Sequence, residues 1–154
     1  MKELANHNGQ IFESKTNFYT ILNGDNTFQY IEKYKFKKWL LNNYDIDIKS
    51  IWSKNLLPDE ALYNKDLNTI FIIEKKYQSC PGSVDEKLQT CAFKKWQYNK
   101  IEKITGIKIE YIYCFNDWFE DSKYDDVKDF IILNGCFWFY DYNFPFHKLY
   151  SGFN

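Results

Sequence analysis

Ile70, Phe71, Ile72 and Ile73 form a β-branched and aromatic run of strand length that ends abruptly in Glu74, Lys75 and Lys76. β-Branched and aromatic residues in such a run predict a buried strand. Before it, Asn64, Lys65, Asp66, Leu67 and Asn68 have the composition of a turn, and Ala61, Leu62 and Tyr63 extend ahead of that turn. Pairing Asn64 with Thr69 across the loop predicts an antiparallel hairpin whose register brings Asp59 opposite Glu74, with Cβ atoms about 5 Å apart. Alternation then places Glu74, Lys76 and Gln78 on the face of Asp59, and Ile73 and Lys75 on the other.

The flanking segments read as alternating elements. Ile11, Phe12, Phe18, Ile21 and Leu22 recur at roughly helical spacing, predicting a first helix over residues 10–22 closed by Asn23 and Gly24. Residues 27–44 predict a second helix with Phe28, Ile31, Tyr34, Trp39 and Leu40 near one side. The alternation of residues 45–51 predicts a short strand. Beyond the hairpin, Pro81 and Gly82 break the chain, and Ser83 with Glu86 forms a capping box. It predicts a third helix that packs through Val84, Leu88, Cys91, Ala92 and Trp96, leaves Lys87, Lys94, Lys95 and Asn99 elsewhere, and stops at Gly106. Residues 107–115 predict a strand parallel to the hairpin's second strand. Next come a polar loop over 116–123, a short helix over 124–134 halted by Gly135, and an aromatic strand over 136–142. Helices alternating with strands in this way predict an α/β domain.

Composition narrows this picture. A chain of 154 residues predicts one domain spanning 1–154. Aromatic residues make up 21% against a mean hydropathy of −0.57, so the core must be built largely from Phe, Tyr and Trp. All 20 cationic side chains are lysine, and the formal net charge is −1. Long-range attraction to phosphate is therefore excluded, and any nucleic-acid contact has to come from local lysine clusters. Abundant Lys, Asn, Ile, Tyr and Phe also match A/T-rich codons, which weakens lysine content as a sign of nucleic-acid binding. Cys80, Cys91, Cys114 and Cys136 fit no zinc spacing. The N-terminal residues lack an apolar signal core and no segment approaches membrane-spanning length, so a cytoplasmic protein with reduced cysteines is expected. His7 and His147 stand alone, without a motif that would make either catalytic.

Two carboxylates facing each other repel unless a cation lies between them, which is the chemistry of oxygen-ligand magnesium or manganese sites. Pro58 and Asp59, followed by Glu74, Lys75 and Lys76 at the end of a hydrophobic strand, resemble the PD-(D/E)xK nuclease superfamily of restriction endonucleases, junction resolvases and repair nucleases. The resemblance implies a restriction-endonuclease-like mixed sheet flanked by helices on both faces, and metal-dependent phosphodiester hydrolysis of DNA. It implies that Asp59 and Glu74 bind Mg2+, with Mn2+ as a substitute and the Lys75 carbonyl as a further ligand. Lys76 would orient or deprotonate the attacking water.

Glu13, on the first helix, would be an auxiliary acid reaching the metal, and Gln78 would position water or substrate. The turn at Ser83 and nearby Lys87 would hold a phosphate, although Asp85 and Glu86 already complement that helix end. A restriction-type enzyme is the first reading. A structure-specific nuclease of the Holliday-junction resolvase or repair type shares its site, and a non-catalytic binding module could share its fold. Double-strand cleavage by so small a chain implies a homodimer, with Trp138, Phe144 and Phe146 of the aromatic tail as the first interface candidates and Phe137 and Phe139 as core.

Overall fold

The protein is described here by a computed structural model covering residues 10–13, 19–23 and 26–153. Its strands β1 (Gln10–Glu13), β2 (Tyr19–Asn23), β3 (Asn26–Glu32), β4 (Glu60–Asn64), β5 (Thr69–Lys76), β6 (Lys108–Phe115) and β7 (Phe137–Tyr140) form one sheet in sequential order. β1 to β5 pair antiparallel, and β5, β6 and β7 run parallel. This is the mixed α/β arrangement expected from the sequence. The hairpin register is also as expected, with Asn64 facing Thr69 and Glu60 facing Ile73.

The helices are α1 (Lys35–Tyr44), α2 (Ile48–Ile51), α3 (Val84–Leu88), α4 (Cys91–Thr105), α5 (Asp125–Leu133) and α6 (Lys148–Ser151). Strand alternation divides the core between two faces. On one, Ile31, Ala61, Ile70, Ile72, Tyr111 and Tyr113 pack with side chains of α1, α2, α4 and α5. On the other, Phe28, Leu62, Phe71, Ile73, Ile112 and Cys114 are covered by Phe144, Leu149 and Phe153. The longer helices thus lie on one face rather than both, and the second face is closed by the aromatic segment that carries α6.

Several sequence expectations are corrected. Residues 10–13 and 19–23 form strands, not a helix; the intervening 14–18, Gly24 and His7 lie outside the described residues. In residues 26–32 the alternation of Phe28 and Tyr30 on one face with Ile31 on the other is that of a strand, and helix begins only at Lys35. The segment read as a strand over 45–51 is a helical turn, because the Asp47 side chain accepts the N–H of Lys49 and caps it.

The capping box at Ser83 does not close. No side-chain cap bond forms, and the helix breaks at Gln89 and Thr90, where Thr90 Oγ1 donates to the Lys87 carbonyl at 2.6 Å. α4 begins a new phase from there, burying Cys91, Tyr98 and Ile101 and leaving Trp96 exposed. It ends as expected at Gly106, whose φ of +70° a glycine adopts without strain.

The aromatic tail is consumed within the chain. Phe144 is buried, Phe153 lies against Phe71, Phe137 and Phe139, and Trp138 stacks near Phe115. Phe144 therefore serves the protein's own core, while Trp138 stays half-buried, because the tail folds back over apolar sheet surface that would otherwise face water. Phe146 is half-buried against Phe144 on the same face.

Candidate active site

The site lies where β4 starts and β5 ends, on the helical face of the sheet. Pro58 is buried and fixes the backbone before Asp59. Continuing the register two residues beyond Glu60 and Ile73 places Pro58 opposite Lys75. At such a pair both strands normally exchange N–H and C=O groups, but a proline has no N–H to give. The Lys75 N–H is taken instead by Asp59 Oδ2 at 3.1 Å. The Lys75 carbonyl is left without a ladder donor from β4, and the Lys76 ammonium meets it at 3.3 Å. One proline thus frees a backbone oxygen beside two carboxylates.

Glu74 is buried, and Lys76 Nζ and Lys94 Nζ approach its Oε2 at 3.1 and 3.5 Å. Lys33 Nζ reaches Asp59 Oδ1 at 3.3 Å from the turn between β3 and α1. Burial draws the Lys94 ammonium below the ordinary lysine pKa, against the opposing pull of Glu74. Burial likewise raises the Tyr98 phenol well above its usual value, and the charges of Glu74 and Asp59 push it the same way. Both carboxylates therefore act on α4, which is held over the site where Trp52 Nε1 donates to the Gln97 carbonyl at 2.9 Å and Tyr98 OH to the Leu56 carbonyl at 3.3 Å.

The structure thus brings Asp59, Glu74 and Lys76 to one face, and Lys75 points to the other, where its Nζ meets Glu60 at 2.8 Å. It does not bring the remaining candidates there. Glu13 ends β1 at the outer edge of the sheet, about 19 Å across from β5 at ordinary strand spacing, and it is not on a helix. Gln78 directs its side-chain amide to the Cys80 carbonyl at 2.6 Å, while Asn116 clasps its backbone N–H and C=O at 3.1 and 2.8 Å. That clasp fastens the exit of β5 to the end of β6. Ser83 and Lys87 are exposed, and among the described residues no hydrogen bond or ion pair joins their side chains to Asp59, Glu74 or Lys76. α3 is also only five residues long, too short to present a strong dipole.

Sequence reasoning missed Lys94 and Lys33. Lys94 lies three residues after Cys91 and four before Tyr98, so the α4 phase that buries those two also turns Lys94 to the sheet. Choosing Trp96 as a packing residue concealed it. Lys33 was concealed because residues 27–44 were read as one helix.

The ligands available to a cation are hard oxygens: the Asp59 and Glu74 carboxylates and the Lys75 carbonyl. This set fits magnesium or manganese. The Lys76 ammonium touches Glu74 Oε2 and the Lys75 carbonyl together, so these two oxygens converge on one cationic centre. Among the described residues no three His, Cys, Asp or Glu side chains cluster, so water and phosphate oxygens would have to complete the coordination shell.

A mixed sheet with a carboxylate before one hairpin strand, and a carboxylate and lysine at the end of the next, has the layout of a hydrolytic nuclease. The model of the PD-(D/E)XK nuclease superfamily domain matches residues 4–104, about two thirds of the chain, and the protein belongs to that superfamily. The match spans the hairpin and nearly all of α4, and ends before β6. No curated protein and no solved structure matches the chain. Nucleases of this superfamily generally use divalent metals, and the substrate is a nucleic acid. No helix among the described residues is long and apolar enough to cross a membrane.

Proposed function

We propose that residues 1–154 form one nuclease domain that hydrolyses phosphodiester bonds of DNA with Mg2+, or Mn2+ in its place, as an endonuclease of restriction type. The observation that carries this reading is the joint engagement of Glu74 Oε2 and the Lys75 carbonyl by Lys76, beside an Asp59 anchored on the Lys75 N–H. Asp59, Glu74 and the Lys75 carbonyl would hold the cation, which when bound supplies Lewis-acid activation of water and charge neutralisation at phosphate.

The chain's own groups do the rest. Lys76, tethered at Glu74 and the Lys75 carbonyl, orients the attacking water and as an ammonium offsets negative charge developing on the phosphate; its neutral amine form would take up the water's proton. Lys94 neutralises Glu74 from the helical side and fixes its orientation. With no arginine for bidentate guanine contacts, base reading would fall to Asn, Gln, Lys and aromatic side chains, which favours a short or A/T-containing target. A structure-specific nuclease of the resolvase or repair type uses the same site. Paired-strand cleavage would require a homodimer, and sedimentation on and off DNA tests that requirement.

Supercoiled plasmid incubated with Mg2+ and with EDTA is the test. Cleavage is expected only with metal, and its absence in folded protein with either Mg2+ or Mn2+ would support a binding module instead. Sequencing the ends from a genomic digest separates the two nuclease readings, since a shared end sequence means restriction.

A further inference from the structure

The two carboxylates of the site face three ammonium groups, Lys76 and Lys94 on Glu74 and Lys33 on Asp59. This face is therefore positively charged before any divalent cation enters. A cation arriving alone meets net repulsion, and one arriving with anionic phosphate does not.

The three lysines are not equivalent. The side chains of Lys76 and Lys94 are 15% and 19% exposed, held between strand and helix, whereas that of Lys33 is 44% exposed. Lys33 sits in the short turn between β3 and α1, next to a Tyr34 that is almost wholly in solvent. Its sequence neighbour Glu32 is already paired with Lys35 at 3.2 Å, and Lys33 crosses instead to Asp59. A half-exposed ion pair of this kind is weak and readily exchanged. Asp59 cannot follow it, because its other oxygen is fixed by the Lys75 N–H. The carboxylate is anchored by a backbone bond, while the ammonium is held by an exposed side-chain pair.

We propose that Lys33 is a transferable cation that couples substrate binding to metal binding. In the free protein it occupies Asp59 Oδ1. When nucleic acid docks, it moves to a backbone phosphate and leaves that oxygen to the divalent cation, so each ligand strengthens the other by the same factor. The proposal rests on the reading of Asp59 as a metal ligand and adds Lys33 to the substrate-binding groups.

Mn2+ is titrated into wild type, Lys33→Met, Lys33→Arg and Asp59→Asn proteins without DNA, with free Mn2+ followed by electron paramagnetic resonance. Lys33→Met is expected to bind Mn2+ about fivefold more tightly than wild type, since the competing ammonium is gone, and Lys33→Arg to bind like wild type. In a parallel titration, binding of a fluorescent duplex in EDTA should weaken about fivefold in Lys33→Met. If Asp59→Asn loses Mn2+ binding while Lys33→Met binds no tighter than wild type, Asp59 remains a ligand and the transfer role of Lys33 is overturned. If wild type and Asp59→Asn bind Mn2+ equally, the metal reading of Asp59 fails and the transfer fails with it.

Discussion

On one face of β5, Lys75 meets Glu60 at 2.8 Å; on the other, Lys76 meets Glu74 at 3.1 Å. The residue types match and the positions are adjacent, yet their surroundings differ. Glu60 is buried and also accepts the Tyr30 hydroxyl at 2.9 Å, on the face closed by the aromatic tail. Burial lowers the affinity of Lys75 for its proton, but the hydrogen bond and charge of Glu60 outweigh this and hold its pKa above the usual value. That ammonium has a dedicated partner. Across the strand, two carboxylates share three ammoniums beside a backbone oxygen that a side chain rather than a ladder N–H engages, and these charges can be rearranged around an incoming ligand. A lysine and a glutamate therefore become structure or chemistry according to how much freedom their neighbours leave them.

Substitutions on the two faces should separate these uses. The largest effect is expected on the helical face: Glu74→Ala, Asp59→Ala and Lys76→Ala should each lower plasmid cleavage in Mg2+ by about 10³-fold or more, with circular dichroism unchanged. Wild-type cleavage by folded Glu74→Ala would dismiss the site. Next, Phe153→Ala removes a ring packed on Phe71, Phe137 and Phe139 and should cost about 3 kcal/mol in urea unfolding. A cost below about 1 kcal/mol would mean that the tail is not the cover of that face. Glu60→Ala strands the Lys75 ammonium and should destabilise by about 2 kcal/mol, while the refolded fraction keeps most of its cleavage rate. A loss of rate as large as that of Glu74→Ala would collapse the distinction between the faces. The smallest effect is predicted for Ser83→Ala, within about 0.5 kcal/mol, because no side-chain cap bond is there to lose.

The legible parts of the fold were those where local chemistry and tertiary environment agree. The run from Ile70 to Ile73 is buried on both sides, and the turn before it is rich in Asn and Asp, so β4, β5 and their register could be read residue by residue. The same holds for Gly106 and Gly135, whose φ values of +70° and +67° mark helix ends. The N-terminal strands were illegible because β1 has only four residues, too few to display a period, and because β3 passes into α1 through Lys33 and Tyr34 with no Gly or Pro between. Merging β3 and α1 also hid the Lys33 contact. The strongest local signal misled in its detail: Ser83 and Glu86 have capping-box spacing, but Thr90 bonds back to Lys87 and resets the helix, so the inward face of α4 could not be extrapolated from Val84. Within the site, the order of Asp, Glu and Lys was readable. The lysines that surround them depend on a helix phase and a turn.

The sequential strand order also bears on how the chain assembles. Each strand is laid beside the one before it, so pairing joins sequence neighbours, through tight turns such as the one between β4 and β5 and through helical connections between β3 and β4 and between β5, β6 and β7. The covering of the second face is the opposite case. Tyr150 packs on Phe28, and Asn64 Nδ2 donates to the Leu149 carbonyl at 2.9 Å, contacts that join distant parts of the chain and carry a larger loop-closure entropy. Refolding should therefore pass from a zippered sheet with one bare aromatic side to the finished molecule. During that interval the exposed rings are the surface most prone to sticking to another copy.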